Sequence, residues 1–397
     1  MERFGWEEDC QRPAPRPLLT GRAIPGPPAD HVARHDARAS GLRYVSVDSP
    51  GVQRRRAGRG FSYVDASGRR IRDSETLARI RRIAIPPAWT DVWICPRADG
   101  HIQAAGRDAR GRRQYRYHSE FRSRRDAGKF ARLIRFGERL PRIRRRVRLD
   151  LRLRGLPRDK VLAAVVALLE RTQLRVGNAE YATLNRSFGL TTLRDRHVVV
   201  RGATLRFRFR GKGGRTEERT LIDRRLAAVV RRCQELPGQE LFQYEDEEGQ
   251  VRAVASEDVN GYLRGAAGDE AVSAKDFRTW AATLHAFREL QATAAAGPPR
   301  RRQSQVVQAL RRTAEELGNT LAVTRGSYVH PEVVAAFQQG PGADAASSGR
   351  RTPKDRPPSR DDELALLASL GRARGGAARR SKVRTRHPAG RQGARTA

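Results

Sequence analysis

Cysteine and lysine are scarce in this chain and long apolar runs are missing, and each shortage removes a class of protein. The three cysteines, Cys10, Cys95 and Cys233, are scattered and odd in number, with no CxxC spacing and no histidine pair beside them. That argues against a disulfide framework or a structural zinc site and for a reducing compartment. No stretch of about 18 apolar residues occurs, and MERFGWEEDC at the start lacks a signal-peptide pattern. The expectation is a soluble, cytoplasmic protein that does not engage a membrane. The phosphate-cradling GxxxxGK[ST] signature is missing, and no carboxylate pair stands with the chemistry-bearing groups below. Neither a metal nor another cofactor is therefore expected.

The shortage of lysine is telling because positive charge is abundant. The sequence has 80 basic and 44 acidic residues, a formal net charge of +36, yet only six of the bases are lysines. Residues from 341 onward hold 14 bases against five acids, so most of the excess lies upstream of them. An imbalance of this size implies a polyanionic partner, nucleic acid first. A GC-rich coding bias fills surfaces with arginine but inflates alanine more naturally than it separates bases from acids. With 38% hydrophobic residues over 397 positions, the chain can build two cores plus tails.

Residues 1–38 are rich in Pro and Arg without periodicity and read as a disordered leader. From 39 to 123 the signals are β: YVSV, GFSYVDASGRRI, VWICPR and HIQAAGRDARGRRQYRYH are short runs joined by Gly/Asp turns. One helix is expected near 75–82, capped by Asp73 or Ser74. From 126 to 338 the pattern is helical, with Val161, Leu162, Val165, Val166 and Leu169 at helix spacing in DKVLAAVVALLERTQLRVG. A β insertion (GLTTL, HVVVRG, TLRFRFRGK, RTEERTLI) interrupts it. Helices resume at roughly 222–235, 256–265, 276–295 and 303–317, the last stopped by Gly318. Residues 340–397 read as a disordered basic tail in which LALLASL forms a helical turn or two. The fold class is α+β: a small β-rich N-terminal domain and a larger, mainly α-helical domain with a β-hairpin insertion.

Within that frame a few residues stand out chemically. In TLRFRFRGKGG, Leu205, Phe207 and Phe209 alternate with Arg206, Arg208 and Arg210, so one strand face is apolar and the other a row of guanidinium groups. Lys212 then sits at a glycine-rich tip. Arginine would hold a phosphate there equally well but could not release a proton, whereas a lysine can be tuned to donate one to a leaving group. Lys275 and Arg278 lie one turn apart in AKDFRTWAATLHAF, with Phe277, Trp280 and Leu284 directed to a core. Arg175 stands where an apolar helix yields to Gly177, free to face a cleft or to pair with Glu170 or Glu180. Tyr328 in TRGSYVHP keeps polar, small company, as an exposed functional tyrosine does. Each also has an ordinary reading as solvated surface, with Asp276 favouring its helix start.

Taken in order, Arg175, Lys212, KDFRT with Arg278, GNT with Asn319, and SY with Tyr328 resemble the type IB DNA topoisomerases, specifically the small poxvirus-like class found in bacteria. The stretch SETLARIRRIAIPPAWTDVWICPRADGHIQAAGRDARGRRQYRYH resembles the same class, and the resemblance covers about 40–338. It implies a monomeric, nucleoid-associated enzyme whose two domains form a C-shaped clamp on double-stranded DNA. It also implies relaxation without ATP or metal, through a 3′-phosphotyrosyl link, strand rotation and religation. Tyr328 would be the nucleophile, Arg175 and Arg278 the holders of the nonbridging oxygens, and Lys212 the acid that protonates the 5′-oxygen. Lys275 would be a further basic contact. Asn319 takes the place that many members fill with histidine; its amide can donate one hydrogen bond but cannot serve as a general base. The resemblance further implies DNA contacts by Tyr115 and Tyr117, with Arg113 beside them, and by Tyr181.

Rival readings explain less. A tyrosine recombinase shares the Arg/Lys/Arg/Tyr logic but usually has histidine where Lys275 stands, and exchanges a helix between protomers. A non-enzymatic DNA binder accounts for the charge and leaves the spared lysines to coincidence.

Overall fold

The computed structural model describes residues 30–109, 111–293, 298–340 and 357–384. It divides into two units, Met1–Arg125 and Asp126–Ala397.

The first unit comprises α1 (Asp30–Ala39), β1 (Val52–Ala57), β2 (Gly60–Val64), α2 (Ser74–Ile83), β3 (Thr90–Ile94), β4 (Ile102–Arg107) and β5 (Arg113–Tyr117). The strands form one antiparallel sheet in the order β2-β1-β3-β4-β5. Its core is Val52, Ile80, Val92, Ile94 and Ala104, with α2 supplying Ile80. Helix α2 starts where the sequence predicts it, because the Asp73 carboxylate accepts the Thr76 N–H at 2.7 Å.

In the second unit, α3 (Ser119–Asp150), which begins in the first, is followed by α4 (Arg158–Thr172) and α5 (Ala179–Asn185). Next come β6 (Val198–Arg201), β7 (Thr204–Arg210), β8 (Thr216–Ile222), α6 (Arg224–Gln234), β9 (Gln243–Glu245) and β10 (Val251–Ala253). The helices α7 (Ser256–Ala267), α8 (Ala274–Gln291), α9 (Pro299–Leu317), α10 (Leu321–Ser327), α11 (Pro331–Gln339) and α12 (Arg360–Arg384) close the order. Every side chain of α4 from Val161 to Leu169 is buried. A helix apolar on all sides belongs at the centre, and here it is the axis of the core. β6, β7 and β8 form an antiparallel sheet. In β7 Leu205, Phe207 and Phe209 are buried and the intervening arginines exposed, each inward side chain adding roughly 1.5–3 kcal/mol.

Two boundaries differ from the sequence reading. Residues 30–38, read as leader, belong to α1, and Ala37 with Leu42 packs against Phe121. Within the expected tail, α12 spans Arg360–Arg384 rather than a turn or two, with Leu366 and Leu370 fully buried. Its start is a capping box in the segment SRDD: Ser359 N–H donates to Asp362 and Asp362 N–H to the Ser359 hydroxyl. Arg144 on α3 binds Glu363 at 2.7 Å and Glu170 at 2.6 Å, and Arg288 on α8 lies 3.3 Å from Asp362. Residues 1–29 and the rest of the tail lie outside the described residues. No described helix is long and apolar enough to cross a membrane.

Candidate active site

The central helix α4 ends when Gln173 turns into the left-handed region at φ 57° and its N–H caps Leu169. Leu174 returns to the core and Arg175 projects from it, partly exposed. The segment is pinned from behind by Leu190 N–H donating to the Arg175 carbonyl at 2.9 Å and Thr191 N–H to Val176 at 2.7 Å. Only glycine fits at 189, because a β-carbon would stand 2.6 Å from Gly177 Cα and 2.7 Å from the Arg175 carbonyl oxygen. Arg175 is thus held by close backbone crossing. Its guanidinium donates to Asn319 Oδ1 at 3.0 Å and reaches Glu217 at 3.4 Å. Neither Glu170, which pairs with Arg144, nor Glu180 is its partner here.

Arg278 lies on α8 and is only 5% exposed, so the ordinary reading of this helix start as solvated surface does not hold for it. Asp276 to Trp280 are all buried, because α8 is covered on both sides. Arg278 donates to the carbonyl of Leu317 at 2.9 Å and to that of Gln173. It thereby satisfies the ends of α9 and α4, where the helix dipoles are negative. Its Nε is buried without a hydrogen-bond partner. Burial lowers its pKa, and the nearby Arg175 lowers it further.

Gly318 ends α9 in the left-handed region, and Asn319 follows with its N–H on Ala314 at 2.8 Å. Because its Oδ1 accepts from Arg175, its Nδ2 is the free end of the amide, and this donor is buried without a partner. Tyr328 closes α10 with its N–H on Thr324 at 3.0 Å. Its half-buried ring has the Arg278 guanidinium carbon 5.6 Å from the centroid. Burial pushes the phenol up, but the charges of Arg278, Arg175 and Lys275 outweigh it, and the net shift is downward. Lys275 is exposed in the first turn of α8.

Lys212 is exposed in a short turn, Lys212–Gly214, that joins β7 to β8, with Gly213 at φ 82°. The hairpin is rooted in the same helix ends: Arg219 donates to the carbonyls of Thr172 and Glu316, and Arg215 to that of Gly318. Arg175, Arg278, Asn319 and Tyr328 therefore form one cluster. Lys275 adds charge at its edge, and Lys212 stands on a hairpin anchored to it.

The candidate DNA contacts of the first unit are a separate group. Tyr115 and Tyr117 share one face of β5, with centroids 6.0 Å apart. Tyr117 stacks on Phe121 at 5.4 Å, and burial raises its phenol pKa. Arg113 lies over Tyr115 at 5.9 Å. Tyr181 is on α5, and its side chain lies outside what the structure describes.

Sequence reasoning missed Glu217, a carboxylate 11% exposed that joins Arg175 and Arg219. A signal existed: alternation in TEERTLI puts Glu217 and Arg219 on the buried parity with Leu221, opposite Phe209 and Phe207. Charged residues on an inward face need partners, and these find them in the cluster.

Two regions of the chain match known families. Residues 118–343 match the family described as eukaryotic DNA topoisomerase I, catalytic core. Residues 60–108 match the family described as bacterial DNA topoisomerase IB, N-terminal domain. The chain is also 30% identical over 298 residues to DNA topoisomerase 1B of Acanthamoeba polyphaga mimivirus, covering 73% of this chain and 88% of that protein. Two adjoining family matches and a relative aligned over most of its length place this chain in the type IB DNA topoisomerase family, enzymes whose substrate is DNA.

Proposed function

We propose that this protein relaxes supercoiled double-stranded DNA as a monomer, by transient transesterification through Tyr328. The phenolic oxygen attacks a backbone phosphorus, forming the Tyr–O–P bond and breaking the bond to the 5′-oxygen. Lys212 gives its proton to that oxygen, and the phenolic proton passes to water. The strand end rotates, and the reverse step restores the phosphodiester. Since the ester is exchanged and never hydrolysed, no ATP is required.

The observation that carries this reading is the Tyr328 phenol, lowered in pKa beside Arg278 and Arg175. Buried donors without protein partners, Arg278 Nε and Asn319 Nδ2, belong to the same cluster. A phosphate would satisfy both donors and receive the developing negative charge. Asn319 fits as a donor, since Arg175 occupies its oxygen. Glu217 holds Arg175 in place until phosphate arrives. All these groups come from one chain, which supports action as a monomer.

The test is plasmid relaxation in EDTA, with denaturant trapping of the covalent adduct. Wild-type protein should relax plasmid and yield a 3′-linked adduct. Tyr328→Phe should do neither while still binding DNA. An adduct formed by Tyr328→Phe would overturn the assignment.

A further inference from the structure

On α8, five residues beyond Arg278, stands Thr283, whose side chain is fully buried (0% exposed). Helical threonines commonly return their hydroxyl to the carbonyl four residues back. Thr279 does so, to Lys275. Thr283 shares its one hydroxyl proton between the Thr279 carbonyl at 2.8 Å and an acceptor outside its helix. Its Oγ1 lies 3.0 Å from the carbonyl oxygen of Tyr328 and accepts the N–H of His330 at 3.2 Å. One hydroxyl therefore grips the main chain on both sides of Val329.

That stretch is the junction between α10 and α11. Tyr328 has φ −126° and ψ −27°, outside helical values. Its carbonyl and the His330 N–H are thus main-chain groups that need partners from elsewhere. Val329 is buried, and the His330 ring packs 4.8 Å from Phe130 and caps α11 through Glu332 N–H. The junction is well anchored, and its polar anchor to α8 is Thr283.

We propose that Thr283 is the positioning residue that fixes Tyr328 relative to Arg278, by binding the nucleophile's main chain to the helix that carries the arginine. The proposal rests on Tyr328 being the nucleophile. A misplacement of about 1 Å in a reacting group costs on the order of a hundredfold in rate. Releasing this grip should therefore slow bond cleavage and leave DNA binding intact.

The test is Thr283→Val, which keeps the shape and removes the hydroxyl, read by single-turnover cleavage, DNA affinity and the pH profile of cleavage. Cleavage should fall by at least about tenfold with affinity unchanged. Arg278 and Lys275 on α8 and Arg175 beyond α4 face the phenol, and Glu217 on β8 is paired to Arg175. A phenol that drifts from these cations should ionise at higher pH, so the rise of cleavage with pH should shift to higher pH. Thr283→Ser should restore rate and profile, and Thr279→Val should behave as wild type. Wild-type cleavage by Thr283→Val, an equal defect in Thr279→Val, or a loss that serine does not restore would each overturn the proposal. Should the valine variant not fold, Thr283→Ala set against Thr283→Ser decides the same point. An adduct from Tyr328→Phe would defeat the underlying reading, whereas an inert Tyr328→Phe with a fully active Thr283→Val defeats only this inference.

Discussion

Arg278 and Lys212 are both cations assigned to one phosphate, yet the fold treats them oppositely. Arg278 is buried on α8 and bonded to the last carbonyls of two other helices. Lys212 is exposed at the tip of a turn between two strands. A group that must hold charge in a fixed place benefits from being built into the core, where reorganisation is small. A group that must hand over a proton needs surroundings that change when substrate arrives, and an exposed tip provides them. On the proposed roles, the fold separates the electrostatic part of catalysis from the proton-transfer part.

Substitution can break that contrast or sharpen it. The largest effect belongs to Arg278→Ala, which should lose cleavage by at least about a hundred- to a thousandfold. It should also lower thermal stability, because two helix-end carbonyls, one of them buried, lose a charged donor at about 1.5–3 kcal/mol each. Calorimetry and single-turnover cleavage on one preparation check both. Lys212→Ala should lose about a hundredfold to ten-thousandfold in cleavage with no change in melting temperature. Lys212→Arg should not recover it, and a sulfur leaving group in place of the 5′-oxygen should. If Lys212→Ala is equally slow on both substrates, Lys212 is not the acid.

Asn319→Ala is the intermediate case, expected at about tenfold to a hundredfold in cleavage, since it removes a donor and releases Arg175. Asn319→His should keep most of the rate. The smallest effect is a shift in pH dependence. If the Tyr328 phenolate attacks, as proposed, its lowered pKa means that cleavage should rise with pH and level off below the range of an ordinary tyrosine. Lys275→Ala removes one of the lowering charges, so its profile should move to higher pH with a rate loss of only a few fold.

Much of this was legible in the sequence, for definable reasons. Alternation predicted β7, because a half-buried strand writes its two faces into the chain. Helix α2 was marked by its cap. Arg175, Lys212, Arg278 and Tyr328 drew notice from their local context and Asn319 only through the family resemblance, and the fold brings four of the five together with Lys212 on a hairpin anchored beside them. What escaped depends on distant partners. The burial of Arg278 required knowing that α4 and α9 end against the N-terminal part of α8. Thr283 looks like any helical threonine until the α10–α11 junction is laid over it. α1 and α12 sit in arginine-rich surroundings whose composition outweighs a few apolar residues, and only the core shows where Ala37, Leu366 and Leu370 fit.

The last helix has a practical corollary for anyone trimming the molecule. The family match ends at residue 343, an inviting place to truncate. Yet α12 supplies Glu363 to Arg144 and Asp362 to Arg288. A fragment cut at that border would take Asp362 from Arg288, leave Arg144 with Glu170 but not Glu363, and uncover the wall that Leu366 and Leu370 plug. The border drawn by similarity is therefore not where the folded body stops, and a fragment that keeps this packing intact runs at least to Leu370.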